Sequence, residues 1–232
     1  MKSKMINLKL CSFILILLCI AACNNHKKSN PCFVTKTISR PWTLKDYDKS
    51  DSRFKSLNEF KTYKIARDLN LYNIRDRKSN YFRIWYQSPD PLYNWVVDVD
   101  FIGLEYKVFT YCINFKEGDD SIYYKLYRYE EERLKESTLK DIEYNIKVYD
   151  IVNLSIEPGY IITGYGNIFE IETMWNGNYH YELFTKPDII DYKASKPLLA
   201  FVDFLIKKFD LPPLGENPCE KDRSNPERWI TE

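Results

Sequence analysis

Ile168-Phe-Glu-Ile-Glu-Thr-Met-Trp-Asn-Gly-Asn-Tyr-His-Tyr-Glu-Leu-Phe184 is the most informative stretch of this 232-residue chain. It holds two runs of strand-forming residues on either side of Asn176-Gly177, and Asn-Gly between such runs is the strongest short-range signal for a β-hairpin. A two-residue loop would set Thr173 opposite His180 and Glu172 opposite Tyr181. The stretch therefore predicts two antiparallel strands joined by a tight turn.

On the N-terminal side, four further runs alternate apolar and polar residues, which is typical of strands with one buried face. Turn-forming residues separate these runs, so they predict an antiparallel meander. The predicted strands are Tyr81–Gln87, Trp95–Ile102, Leu104–Phe115 and Ser121–Tyr129. The carboxylates that alternate along the strands are expected on solvent-facing positions: Asp98, Asp100, Glu170 and Glu172.

Three segments carry apolar residues at helical spacing. Residues 54–69 predict a short helix, and Ser137 or Thr138 is expected to cap a second helix that carries Leu139, Ile142 and Ile146. Ser195 is expected to cap a C-terminal amphipathic helix with Pro197 in its first turn. The predicted class is α+β: an antiparallel sheet, made of a meander and a hairpin, packed by two or three helices.

The first nine residues contain Lys2, Lys4 and Lys9 and no acidic residue. About a dozen mostly apolar residues follow, whereas a membrane-spanning helix needs about 20. The apolar run ends in Ile20-Ala-Ala-Cys23, which resembles the lipobox of bacterial lipoproteins. That resemblance implies a signal peptide over residues 1–22, a lipid-bearing Cys23 and a polar tether over residues 23–31. A single domain, 32–232, would follow and end in an irregular Pro-rich tail. The alternative is an ordinary signal peptide or an anchor helix in which Cys23 is incidental.

The resemblance also implies a location in the bacterial cell envelope, with the acylated Cys23 in the lipid bilayer. Asn24 after the cysteine, instead of Asp, favours the outer membrane over the inner one. Removing Lys2, Lys4 and Lys9 from the 34 basic residues leaves 31 against 33 acidic ones, a net charge of −2. This balance predicts no nucleic-acid partner and leaves the membrane attachment to the lipid.

Three cysteines remain once the signal and the lipidated residue are set aside: Cys32, Cys112 and Cys219. Cys112 sits in an apolar strand and is expected to be a small buried side chain. Cys32 and Cys219 lie in Pro-containing segments at opposite ends of the domain, in an oxidising compartment. We therefore predict a Cys32–Cys219 disulfide.

Motifs that carry chemistry are scarce. The sequence has no Gly-rich phosphate loop, no H-E-x-x-H, no C-x-x-C and no G-x-S-x-G, so it predicts no cofactor and no metal site. His180 is the one candidate for acid–base catalysis, with Thr173 opposite and Glu182 two residues along. The alternative is a half-exposed strand histidine packed among tyrosines. A Cys112–His180 nucleophile pair is disfavoured, because apolar neighbours raise the pKa of a thiol.

Aromatic residues make up 16% of the chain, including 19 tyrosines. Exposed aromatics on a sheet suit partner binding or sugar stacking, and the alternative is core packing. The mature domain also resembles uncharacterised cell-envelope lipoproteins in Phe169–Glu172, Asn176–His180, Pro187 and Leu198–Phe209, a resemblance that implies no activity.

These features favour a non-enzymatic binding or interaction module whose partner is an envelope protein or a glycan. The alternative is a lipid-anchored hydrolase acting on envelope or dietary polymers through His180 or a pair of carboxylates. The surface around His180 separates the two hypotheses: an enzyme needs a cleft with converging titratable groups, whereas a binding module does not.

Overall fold

A computed structural model describes residues 36–40, 57–89, 93–115, 122–155, 166–190 and 193–215, all within one compact unit, Cys32–Glu232. In this part of the chain a seven-stranded antiparallel sheet is combined with three α-helices. The predicted α+β class is confirmed. Several predictions fall on residues outside those described: the signal peptide over residues 1–22, the lipidation of Cys23, the tether over residues 23–31, the Cys32–Cys219 disulfide and most of the irregular tail.

The sheet has the order β1-β5-β4-β3-β2-β6-β7, and every neighbouring pair is antiparallel. The predicted meander forms β2 to β5, and the predicted hairpin forms β6 and β7. The hairpin extends the sheet because β6 pairs with β2. The strands are β1 Lys36–Arg40, β2 Tyr81–Gln87, β3 Asn94–Asp100, β4 Glu105–Phe115, β5 Ile122–Arg133, β6 Ile168–Trp175 and β7 Asn178–Thr185.

Strand β3 ends two residues before the predicted end at Ile102. The Asp100 carboxylate accepts hydrogen bonds from the backbone N–H groups of Ile102 and Gly103, at 3.0 and 2.9 Å. An Asp side chain that bonds the backbone two and three residues ahead offers an alternative to the strand ladder. The turn therefore starts directly after Asp100.

The described α-helices are α1 Leu57–Asp68, α2 Glu136–Val148 and α3 Ser195–Phe209. The predicted capping of α2 is wrong: its N-cap is Lys135, so Ser137 and Thr138 lie inside the first turn. The reason is that β5 continues to Arg133 and the buried Leu134 donates its N–H to the Leu104 carbonyl, so the chain enters the helix at once. Similarly, Ser195 is the first helical residue after the N-cap Ala194, and its hydroxyl donates to the Ile190 carbonyl at 2.8 Å.

Helices α2 and α3 pack on one face of the sheet and form the larger core. The predicted apolar stripes of both helices are buried there, including Ile142, Ile146 and Phe201. Phe82 of β2 meets Phe201 of α3 edge to face, with ring centroids 5.4 Å apart. Because α2 packs on this face of the sheet, its C-terminal end lies beside the β6–β7 hairpin.

Helix α1 covers the opposite face, where Phe60 and Ile65 pack with Trp85 and other sheet residues. The expectation that alternating carboxylates face solvent is wrong for two of them on this face. Asp98 is 1% exposed and Glu170 is 0% exposed. Alternation correctly set Asp98 on the face away from Val97 and Val99, and Glu170 on the face away from His180, but α1 and the segment after it cover that face.

Candidate functional site

The β6–β7 hairpin has the predicted register: Thr173 lies opposite His180, and Glu172 lies opposite Tyr181. Asn176 and Gly177 form the two-residue loop with φ values of 51° and 80°. Positive φ at both positions is the mark of a type I′ turn, which Asn-Gly adopts at low cost. This turn fixes the register of the hairpin, so Thr173 and His180 lie side by side on the same face of the sheet.

A pocket of about 410 Å³ lies between this hairpin and the end of α2. One wall comes from the last turn of α2 and the short 3₁₀ helix Ile151–Asn153 that follows it. The other wall comes from the hairpin. The first wall presents Lys147, Asp150, Val152 and Asn153, and the second presents Thr173, Trp175, Asn176, Asn178 and His180.

The charged groups of the first wall already have partners. Asp150 has left-handed backbone angles, and its Oδ1 accepts a hydrogen bond from Asn153 Nδ2 at 2.6 Å. Lys147 Nζ lies 2.7 Å from Glu143 Oε1, one helical turn earlier. The wall therefore offers an ion-paired ammonium and a carboxylate that is bonded to an uncharged amide.

Thr173 provides a polar group at the base of the second wall. Its side chain is 0% exposed, and its hydroxyl has no hydrogen-bond partner within the described part of the chain. A buried hydroxyl without a partner costs about 1–3 kcal/mol. Thr173 lines the pocket, so a ligand or a water molecule that reaches this hydroxyl would satisfy it.

His180 is half-buried beside Thr173. Its Nε2 lies 3.1 Å from the Leu154 carbonyl oxygen. Because a carbonyl only accepts, Nε2 donates this hydrogen bond, and in a neutral ring Nδ1 then holds the lone pair. The ring can therefore accept one further hydrogen bond at Nδ1.

Trp175 adds an apolar surface to the same wall. Its indole is half-buried and meets the Phe101 ring edge to face, with centroids 5.3 Å apart and planes 85° apart. This contact supports the indole from the protein side. Most of the other sheet aromatics are core residues, in line with the alternative that the composition left open; Trp85 and Trp95 are at most 1% exposed.

Of the residues considered for chemistry, the structure brings His180 and Thr173 into one pocket but leaves Glu182 outside its lining. Cys112 is buried, as predicted, and packs with Tyr93 and Tyr127. Its strand, β4, lies four places from β7 in the sheet. The Cys112–His180 pair is thus not formed. The contribution of Lys147, Asp150 and Asn153 was not predicted, since polar residues at the end of a helix carry no sign of what they face.

A second polar cluster lies under α1. Arg83 pairs with Asp98, and Glu170 accepts hydrogen bonds from Thr62, Gln87 and Tyr181 at 2.5, 2.5 and 2.8 Å. Burial acts to lower the pKa of Arg83, but the carboxylates of Asp98 and Glu172 outweigh it and raise the pKa. These groups bind one another closely, so we interpret the cluster as structural.

No protein-family model matches the chain, and no curated protein matches it. Among the described residues, no helix combines the length and the apolar character needed to cross a membrane. In the same part of the chain, no three His, Cys, Asp or Glu side chains are grouped so that they could hold a metal ion.

Proposed function

We propose that this protein is a binding module, not an enzyme, that is anchored in the bacterial envelope through an acylated Cys23 and takes a small polar ligand in the pocket beside His180. The outer membrane is the favoured location. The observation that carries the binding proposal is the buried Thr173 hydroxyl, which lines the pocket without a protein partner among the described residues.

The dimensions of the pocket support a small ligand. Small-molecule sites measure about 300–1,000 Å³ and combine apolar surface with a few polar groups that orient the ligand. The pocket, at about 410 Å³, fits the lower end of that range and combines Trp175 and Val152 with hydroxyl, amide and imidazole groups.

Replacing Thr173 by Val tests the binding role, because Val keeps the shape and removes the hydroxyl. We would screen the full chain, in phospholipid nanodiscs, by thermal shift against neutral sugars, amino acids, dicarboxylates and inorganic phosphate. A ligand at 100 times its dissociation constant stabilises by about 2.7 kcal/mol, which gives a clear rise in melting temperature. Binding that Thr173→Val weakens supports the proposal.

Thr110→Val is the matched control. Thr110 is also 0% exposed, and its hydroxyl likewise lacks a partner among the described residues, but it lies on β4, three strands from β6. Thr110→Val should leave ligand binding unchanged. A screen without any binding compound, or equal effects of the two variants, would contradict the binding proposal.

The anchor is tested separately. We expect the full chain to incorporate labelled palmitate in a bacterial host, and Cys23→Ser to abolish the label. Cys112→Ser is the control and should retain it, since Cys112 is a buried core residue. Label that persists in Cys23→Ser would contradict the lipoprotein assignment.

A lipid-anchored hydrolase is the second candidate, because His180 and Asp150 line the same pocket. The Nε2 atom of His180 faces the Leu154 carbonyl, so Nδ1 is the atom that would move a proton. Turnover of a polymer fragment by the full chain, lost in His180→Gln, would favour the hydrolase over the binding module.

A further inference from the structure

We infer that the ligand of this pocket is an uncharged pyranose sugar. The inference rests on the proposed function and names the ligand class for the same site. Three properties of the pocket carry it: its lysine is ion-paired, its polar atoms both donate and accept hydrogen bonds, and an indole lines one wall.

The charges around the pocket argue against an anionic ligand. Asp150 is held by the Asn153 amide, and the Lys147 ammonium is held by Glu143. The C-terminal end of α2 adds the partial negative charge of a helix terminus, which disfavours anions. Lys147 is thus ion-paired, and the Asp150 carboxylate and the helix end repel a carboxylate or a phosphate.

The hydrogen-bonding groups match hydroxyls. An amide side chain offers donors and an acceptor, a threonine hydroxyl does both, and a sugar hydroxyl also does both. The hairpin wall supplies the amides of Asn176 and Asn178 next to the Thr173 hydroxyl and the His180 ring. Each hydroxyl of a sugar can therefore donate to one group and accept from another without carrying a charge.

The Trp175 indole matches the apolar face of a pyranose ring. Sugar rings have an apolar C–H face, and aromatic side chains combine an apolar surface with a polar edge. Trp175 is half-buried and is braced by Phe101, so a ring stacked on it would meet a surface that is already fixed. A preorganised surface binds without the cost of ordering a side chain.

The test uses the full chain in phospholipid nanodiscs, since detergents with sugar head groups would compete for the site. Saturation-transfer NMR and calorimetry would be run with D-glucose, D-galactose, D-mannose and N-acetyl-D-glucosamine, and with glycine, succinate and inorganic phosphate as charged comparisons. Chitobiose is added to separate a free monosaccharide from the end of a glycan. We expect at least one sugar to bind and the charged compounds not to bind.

The variants locate the site. We expect Thr173→Val and Trp175→Leu each to weaken sugar binding about tenfold, the size of one lost hydrogen bond or ring contact, and Thr110→Val to leave it unchanged. Asp150→Asn and Asn178→Ala alter exposed wall residues, so they report on binding even if a buried substitution fails to fold.

The outcomes separate the two proposals. Binding of a charged compound that Thr173→Val weakens, with no sugar bound, overturns the sugar assignment and keeps the binding module. Sugar binding that none of the wall variants affects overturns the assignment of the sugar to this pocket. Absence of binding by every compound overturns both.

Discussion

Arg83 and Asp98 lie directly opposite each other on β2 and β3, with Arg83 Nε 2.6 Å from Asp98 Oδ1 and both side chains 1% exposed. Asp98 Oδ2 accepts from the Tyr81 hydroxyl at 2.5 Å, and Arg83 Nη2 donates to the Tyr72 carbonyl at 2.8 Å. Both members of the pair thus have further hydrogen-bond partners, and the segment that follows α1 covers them. Such a pair is costly to break from one side, because the other charge stays buried.

Replacing Asp98 by Leu should therefore lower the free energy of unfolding by about 3–5 kcal/mol. The double replacement Arg83→Met with Asp98→Leu removes both charges and should cost less than the sum of the two single changes. Urea unfolding of the four proteins measures this coupling. Strictly additive losses would mean that the two side chains do not depend on each other.

Thr62 of α1 donates its hydroxyl to Glu170 of β6 at 2.5 Å, and this contact links the helix to the sheet. Thr62→Val should destabilise the protein by about 1–3 kcal/mol, because it takes one donor from a buried carboxylate. Amide exchange should accelerate in Leu57–Asp68 more than in β3, since local opening reports on the contacts of that element. Unchanged exchange in α1 would show that other contacts hold the helix.

Without ligand, Thr173→Val should stabilise the protein, whereas Thr62→Val destabilises it. The Thr173 hydroxyl has no partner among the described residues, so removing it should raise the free energy of unfolding by about 1 kcal/mol. Thr110→Val should behave alike, and denaturant midpoints would compare both with Thr62→Val. A loss of stability in Thr173→Val alone would indicate that its hydroxyl is bonded in solution.

Alkaline pH should destabilise the fold. Burial, with nearby carboxylates, raises the pKa of Tyr81 and of Tyr179 above the ordinary value of 10.0, and raises the pKa of Tyr106 to about 12. Above pH 10 the unfolded chain releases protons that the folded chain keeps, so the free energy of unfolding falls as the pH rises. Below pH 10 both states keep these protons, and this contribution to stability is fully present.

Tyr106→Phe checks the alkaline prediction. It removes one tyrosine whose pKa is raised, and the hydrogen bond that this tyrosine donates to Glu132 is exposed. The fall in stability above pH 10 should be shallower in this variant, while the stability at neutral pH should change little. Tyrosinate absorbance in the near ultraviolet gives the ionisation directly. A tyrosine titration of the folded protein centred at the ordinary value would contradict the raised pKa values.

The Cys32–Cys219 disulfide is still a prediction from the sequence. Alkylation of the denatured, unreduced chain should label Cys112 and spare both predicted partners. In the chain-entropy model a bridge across so long a loop contributes about 5 kcal/mol, so reduction should lower the unfolding midpoint. Labelling of Cys32, Cys112 and Cys219 before reduction would show that the bridge does not form.

The strands and helices of the described residues were largely predictable because they depend on neighbours in the sequence. Asn176-Gly177 specified a type I′ turn, and this turn set the register that places Thr173 opposite His180. The apolar spacing of α2 and α3 likewise gave their buried faces. In these segments a period of two or of 3.6 residues maps directly onto a face.

Only the tertiary structure decided what covers each face and which strands meet. Periodicity indicated that Asp98 and Glu170 share faces with polar neighbours, but not that α1 would close over them. The pairing of β6 with β2 brought the hairpin beside the end of α2, and this juxtaposition made the pocket of Asp150, Asn153 and His180. Contacts between distant segments depend on how the whole chain buries its apolar surface, and a local pattern does not contain that information.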